Sequence, residues 1–145
     1  MLLAEDHPRV AEELRRLLER EFEVIAVVDD GEALLRVAAD TDPDVVVTDI
    51  AMPGRDGIAA TAALRAHRPG ARVVLVTVHD DPELAERGYA AGALAYVLKL
   101  AAARDLVPAV HAALRGERYV STHEPCPRLG DSRPPTSRDR NEPRR

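Results

Sequence analysis

Four ionisable residues stand where an apolar run gives out, and their types point to one kind of chemistry. Lys99, the only lysine in a chain whose other nineteen basic residues are arginines, ends the run AYVLK. Glu5 and Asp6 follow MLLA, and Asp49 follows PDVVVT. A compact ammonium, where every other cation is a guanidinium, suits a site that needs a point charge and not a planar fork. Three carboxylates gathered together repel, each close pair by about 4 kcal/mol at roughly 4 Å with an effective dielectric near 20, unless a cation joins them. Magnesium suits this donor set: it takes hard oxygen ligands from one or two carboxylates, keeps waters and accepts a phosphoryl oxygen, while no His or Cys cluster favours zinc. Asp49 beside such an ion would face an electrophilic phosphorus.

The elements that would position these residues alternate between two periods. From Pro8 to Glu21, Val10, Leu14, Leu17 and Leu18 recur at helical spacing among Arg and Glu, with Pro8 suited to a first helical turn. FEVIAVV reads as a strand, Gly31 to Ala39 as a helix, and Asp44 to Thr48, with three consecutive valines, as a strand buried on both faces. The pattern continues as helix Ile58 to His67, strand Ala71 to Val76, helix Pro82 to Ala91 stopped by Gly92, and strand Ala95 to Leu98. A last helix is expected to be capped near Asp105, which would put Pro108 in the first turn, and to run to about Arg115. Alternating strands and helices imply an α/β fold with a parallel sheet covered on both sides, whose ligands bind at the carboxyl ends of the strands where the winding reverses.

Composition narrows the function classes. At 145 residues one domain with one core is expected. The net charge is −5, but residues 121–145 hold six arginines against four acids, so residues 1–120 carry −7, a poor charge for binding nucleic acid. The single cysteine, Cys126, allows no intrachain disulfide and lies among prolines with no metal-ligand spacing, which reads as an incidental thiol. No apolar run approaches a membrane span, and a cytoplasmic protein with no membrane partner is expected. From Ser121 on the composition shifts to five of the eleven prolines with Leu129 and Cys126 as the only apolar side chains. Such a segment buries too little to order itself, so residues 1–120 are expected to be the domain and 121–145 a disordered Pro/Arg-rich tail.

The segments AEDHP, VVVTDIAMPGRDG, VLVTVHDD and GALAYVLK resemble the receiver domains of two-component response regulators (CheY-like), over residues 2 to about 119. The wording of DIAMPGRDGI and GERYVS is similar to the branch usually fused to a LuxR-type helix-turn-helix, a domain expected to be missing here. The resemblance implies a doubly wound, flavodoxin-like five-stranded parallel sheet in the order 2-1-3-4-5. It implies that Asp49 accepts a phosphoryl group from a sensor histidine kinase in phosphorelay signal transduction. Magnesium would be held by Glu5, Asp6, Asp49 and the main-chain oxygen of Ala51. Lys99 would neutralise the phosphoryl oxygens and Thr77 would donate its hydroxyl to one, while Tyr96 would be the switch aromatic that turns inward as Thr77 moves. A homodimer through the face of the fourth helix, fifth strand and fifth helix is a further implied partner, with no direct nucleic-acid contact.

Each residue has an ordinary alternative: a solvated strand-end carboxylate, a strand threonine, a surface lysine, a core tyrosine. Five matching types at four strand ends, in one order and spacing, favour the functional reading. Gly54 and Gly57 are expected to supply positive φ angles in the loop over Asp49. Leu100 stands where many receivers have proline, and His79, two residues past Thr77, is a candidate for tuning the acyl phosphate lifetime. Other readings remain open: a haloacid-dehalogenase-type magnesium-dependent phosphatase and an interaction-only pseudo-receiver. The phosphatase needs an acid two positions after the nucleophile, where Ala51 stands, and the pseudo-receiver would lose the residues found here. Catalysis confined to the chain's own phosphoryl transfer and dephosphorylation is therefore expected.

Overall fold

The computed structural model describes residues 1–121, so the expected tail, apart from Ser121, lies outside the described residues. Strands β1 (Leu2–Ala4), β2 (Ala26–Val28), β3 (Val46–Asp49), β4 (Val73–Thr77), β5 (Ala95–Leu98) and β6 (Tyr119–Val120) alternate with helices α1 (Pro8–Glu19), α2 (Gly31–Thr41), α3 (Gly57–His67), α4 (Pro82–Ala91) and α5 (Ala102–Leu114). All strand pairs are parallel and the order is β2-β1-β3-β4-β5-β6. The expected five-stranded core is present, with β6 added at the edge beside β5.

Every residue of β1, β3, β4 and β5 is buried, because helices cover both faces of the sheet. Within those continuous apolar runs the pleat still sorts side chains by parity. Leu2, Val46, Leu75 and Tyr96 join Leu34, Ile58 and Leu64 in the core under α2 and α3. Leu3, Val47, Val74, Val76 and Val97 join Leu14, Leu18, Leu106 and Val110 in the core under α1 and α5. Helix starts follow the short polar residues that precede them: Asp30 accepts the Ala33 amide at 2.7 Å and Asp56 that of Ala59 at 2.7 Å. Gly92 closes α4 with φ 112°, the left-handed stop its position led one to expect.

Two expected boundaries are corrected. FEVIAVV pairs only over Ala26–Val28, while Phe22 and Val24 pack against the core beneath the sheet. Helix α5 begins at Ala102, directly after a single 3-10 turn at Lys99–Ala101, so Asp105 is no cap and Pro108 sits in the helix interior. Asp105 instead accepts the Tyr119 hydroxyl at 2.8 Å and the Ser121 hydroxyl at 2.6 Å. Burial pushes its carboxyl up, but the Arg104, Ser121 and Tyr119 hydrogen bonds and the Arg104 charge outweigh it, and the net shift is downward from 3.8. A carboxyl depressed in the folded state contributes stability in full above its ordinary value and loses it as pH falls through the folded one. Urea midpoints measured across that acid range should therefore fall more steeply with decreasing pH for the wild type than for Asp105→Asn.

Candidate functional site

The strand register brings four chain segments to one edge. Ala4 pairs with Thr48, Asp49 with Val76, and Thr77 with Leu98, so Glu5, Asp49, Thr77 and Lys99 all emerge at the carboxyl ends of β1, β3, β4 and β5. The sheet winds outward in opposite directions from β1, and the crevice between β1 and β3 is where such a fold leaves room for a ligand.

Lys99 lies between two carboxylates, with its Nζ 2.8 Å from Glu5 Oε1 and 3.2 Å from Asp49 Oδ2. Asp49 Oδ1 accepts the Ala51 amide at 3.3 Å, and Glu5 Oε2 accepts the His7 amide at 3.2 Å. Carboxylate oxygens of Glu5, Asp6 and Asp49 lie within 4.8 Å of one another. Glu5 and Asp49 are buried, at 2 % and 5 % exposure, while Asp6 is open to solvent.

Burial and neighbouring charge set the electrostatics. Burial pushes the Glu5 carboxyl up, the Asp49 charge adds to this, and Lys99 only partly opposes it, so its pKa is raised above 4.5. Burial pulls the Lys99 ammonium down, but Glu5 and Asp49 outweigh that, and its pKa is raised above 10.5. Burial together with Asp49 thus raises Glu5, while Glu5 and Asp49 together raise Lys99, and a pocket with more carboxylates than ammonium groups attracts cations. Glu5 Oε1 is buried and makes no hydrogen bond of good geometry, although the ammonium stands close by. A hard divalent ion fits this donor set: it would supply the missing partner of Glu5 Oε1 and offset the carboxylate excess, with exposed Asp6 at its solvent side.

Thr77 is 1 % exposed, and its Oγ1 accepts the His79 amide at 3.1 Å. The Tyr96 hydroxyl donates to the His79 carbonyl, and its ring is buried in the core at 2 % exposure, so Tyr96 points inward. The sequence pointed to the side chain of His79, but it is the His79 backbone that links Thr77 to Tyr96, a role no residue type signals. Leu100 is 88 % exposed, and every described peptide bond, including Lys99–Leu100, is trans.

The two loop glycines serve different needs. Gly54 has φ 73°, as expected. Gly57 does not have positive φ; a Cβ there would lie 2.1 Å from the Asp49 carbonyl oxygen, and its amide donates to the Ile50 carbonyl at 2.7 Å. Close approach of the loop to the backbone of Asp49 is what requires glycine. Gly57→Ala should destabilise the domain by about 1–3 kcal/mol, read as a lowered denaturant midpoint, whereas Gly70→Ala, with open space around it, should stay near wild type.

A doubly wound core with an acid-and-lysine crevice at its carboxyl edge defines the receiver class of two-component signalling proteins. The family model for the response regulator receiver domain matches residues 1–111, and the chain belongs to that family. It is 35 % identical over 123 residues to the response regulator GacA of Pseudomonas aeruginosa, covering 83 % of this chain and 58 % of that protein. It is 34 % identical over 125 residues to the transcriptional regulatory protein PdtaR of Mycobacterium tuberculosis, covering 86 % and 60 %. The chain thus spans a little under two thirds of these curated relatives. Among solved structures, a two-component response regulator of the LuxR family from an Aurantimonas species superposes with a TM-score of 0.80 at 38 % identity, over 83 % of this chain and 87 % of the other. The receiver domain of the putative response regulator NarL of Mycobacterium tuberculosis gives 0.76 at 32 % identity, over 80 % and 95 %. Among the described residues no helix is long and apolar enough to cross a membrane.

Proposed function

We propose that Asp49 accepts a phosphoryl group from the phosphohistidine of a sensor histidine kinase. One carboxylate oxygen of Asp49 bonds to phosphorus as the phosphorus–nitrogen bond breaks, and the imidazole leaves with a proton. The observation that carries this reading is the Lys99 ammonium held 2.8 and 3.2 Å from two buried carboxylates, one of them the acceptor. That ammonium is positioned to neutralise the incoming phosphoryl oxygens. The Thr77 Oγ1 accepts from His79, which leaves its own proton to donate to a phosphoryl oxygen.

Glu5, Asp6, Asp49 and the main-chain oxygen of Ala51 would hold magnesium, which when bound spreads the charge that develops on the transferring group. At a hundredfold excess over its Kd, magnesium should stabilise the domain by about 2.7 kcal/mol, seen as a higher melting temperature. Asp6→Ala should lose most of that gain with little effect on the melting temperature in chelator, because Asp6 is exposed.

Phosphorylation biases a two-state equilibrium in which Thr77 and Tyr96 reshape the face of α4, β5 and α5, the surface a second copy or output partner would use. Complete switching takes about 5.5 kcal/mol of differential stabilisation. Ala51 offers no general acid two residues past Asp49, so the chemistry is confined to the chain's own phosphoryl transfer and hydrolysis and does not extend to turnover of phosphate esters. A transcription-related role in the cytoplasm belongs to this reading, and the transcriptional regulatory protein PdtaR among the relatives supports the link to transcription, while the acidic charge of residues 1–120 argues against nucleic-acid contact by this stretch. The test is the intact mass after incubation with acetyl phosphate and magnesium. One added phosphoryl group is expected, and an unchanged mass would sink the reading.

A further inference from the structure

The corner between β2 and α2 touches both walls of the crevice, and no step at Asp49 calls on its residues. On one side the Val28 carbonyl accepts the Glu5 amide at 2.9 Å. On the other the corner meets residues 50–56, the loop between β3 and α3 that carries the main-chain oxygen of Ala51. Gly31, buried at the start of α2 behind its cap Asp30, is the point of contact. A Cβ there would lie 2.2 Å from the Arg55 carbonyl oxygen, 2.8 Å from the Arg55 Cβ and 2.9 Å from the Arg55 carbonyl carbon. No rotamer change can move those atoms aside. Next along the helix, Glu32 Oε2 lies 3.0 Å from Arg55 Nε, but these side chains are 63 % and 39 % exposed, so the pair contributes little and the backbone approach fixes the loop.

The far end of the loop is pinned. The Gly57 amide donates to the Ile50 carbonyl at 2.7 Å, Asp56 caps α3 through the Ala59 amide, and Gly57 lies hard against the Asp49 carbonyl. Of residues 51–54 only Met52 is buried, and its thioether chain adapts to a moved backbone. A displacement at Arg55 is therefore taken up in residues 51–54. Because a carbon and a carbonyl oxygen meet at roughly 3.3–3.6 Å, a methyl group at position 31 drives the loop back by about 1 Å. Magnesium holds its oxygens at about 2.0–2.1 Å in near-ideal octahedral geometry, so a carbonyl displaced by a large part of that 1 Å no longer serves it.

We propose that Gly31 is a positioning residue: with no side chain there, the corner between β2 and α2 sets how far the Ala51 carbonyl stands from Glu5, and with it the affinity of the crevice for magnesium. This rests on Glu5 and Ala51 holding the metal. Gly31 acts through the Arg55 backbone and not on the ion.

Calorimetric titration of the full chain with magnesium chloride tests this, with a urea midpoint recorded for every variant. Wild type should bind, and Gly31→Ala should bind about tenfold to a hundredfold more weakly, the usual loss when an outer partner of a metal ligand is disturbed. Gly116→Ala forces a side chain into φ 75° beyond the end of α5 that points away from the crevice, so its urea midpoint should fall while its magnesium affinity stays at the wild-type value. Arg55→Ala removes the pair with Glu32 but keeps the backbone contact, and it should also bind like wild type. Should Gly31→Ala not fold, Arg55→Gly decides: glycine frees the backbone that the contact holds, and affinity should fall about twofold to fivefold. Wild-type affinity in Gly31→Ala, or in Arg55→Gly where Gly31→Ala does not fold, overturns the proposal and leaves the metal site standing. An equal loss in Gly116→Ala or Arg55→Ala overturns it too, the first by tracing the effect to stability and the second to the ion pair. A wild-type chain that binds no magnesium removes the metal site and the positioning role together.

Discussion

Asp49→Asn should take up no phosphoryl group from acetyl phosphate and magnesium, a loss of the whole signal, while keeping the wild-type fold. The carboxylate of Asp49 ends β3, the central strand whose four residues are all buried between β1 and β4. An amide of the same shape keeps the contact with the Ala51 amide but has no oxygen nucleophilic enough to attack phosphorus. Removing one of the crowded charges also eases the repulsion with Glu5, so the melting temperature should stay level or rise. Intact mass and melting temperature, measured on the same preparation, separate lost chemistry from lost structure. Uptake persisting in Asp49→Asn would move the acceptor elsewhere.

Lys99→Met should slow phosphorylation by about a hundredfold to a thousandfold, the usual consequence of deleting one preorganised cationic or hydrogen-bonding partner of a developing oxyanion. Its effect on stability depends on pH, and the sign follows from Glu5. A carboxyl whose folded pKa is raised holds its proton more tightly in the folded state, so the contribution of Glu5 to stability is greatest at low pH and fades as pH rises past the ordinary 4.5 toward the folded value. Deleting the ammonium removes the main opposing influence, so the fade should be larger and extend to higher pH in Lys99→Met. The roughly 3–5 kcal/mol typical of breaking a buried pair is an upper figure, because the Lys99 side chain is 16 % exposed and water reaches it. Urea midpoints across the acid-to-neutral range check this, and a variant with the pH dependence of the wild type would contradict it. Added magnesium should restore part of the loss by taking the place of the missing cation beside Glu5.

What could be read from the sequence was what side-chain type and period determine. The apolar run ending at Asp49 marked a central strand because a parallel strand covered on both faces needs no polar side, the run ending at Lys99 marked a further strand, and Pro82 with Gly92 bracketed α4 from cap preferences alone. The pocket was legible because its side chains all sit at the ends of such runs. What stayed hidden depends on partners far along the chain. Asp105 resembles a helix cap by type, but it binds residues fourteen and sixteen positions later, and the helix starts before it. Gly57 looks like any turn glycine, yet the Asp49 carbonyl beside it is what excludes a side chain. The FEVIAVV run has the pattern of a long strand, but β1 offers only three residues to pair with, and of the rest Phe22 and Val24 pack against the core while Ile25 is exposed. The tie from Thr77 through His79 to Tyr96 runs partly through backbone groups, which every residue carries and none advertises.

The proposal for this domain reduces to a covalent bond at one atom, and chemical trapping locates it. Borohydride reduces an aspartyl phosphate to homoserine, so the chain is incubated with acetyl phosphate and magnesium, reduced, digested and sequenced by mass. Homoserine at position 49, absent without magnesium, is the expected finding. Homoserine at another carboxylate, or none on a folded chain with the metal present, would mean that the crevice built by Glu5, Asp6, Asp49 and Lys99 does not accept phosphoryl groups.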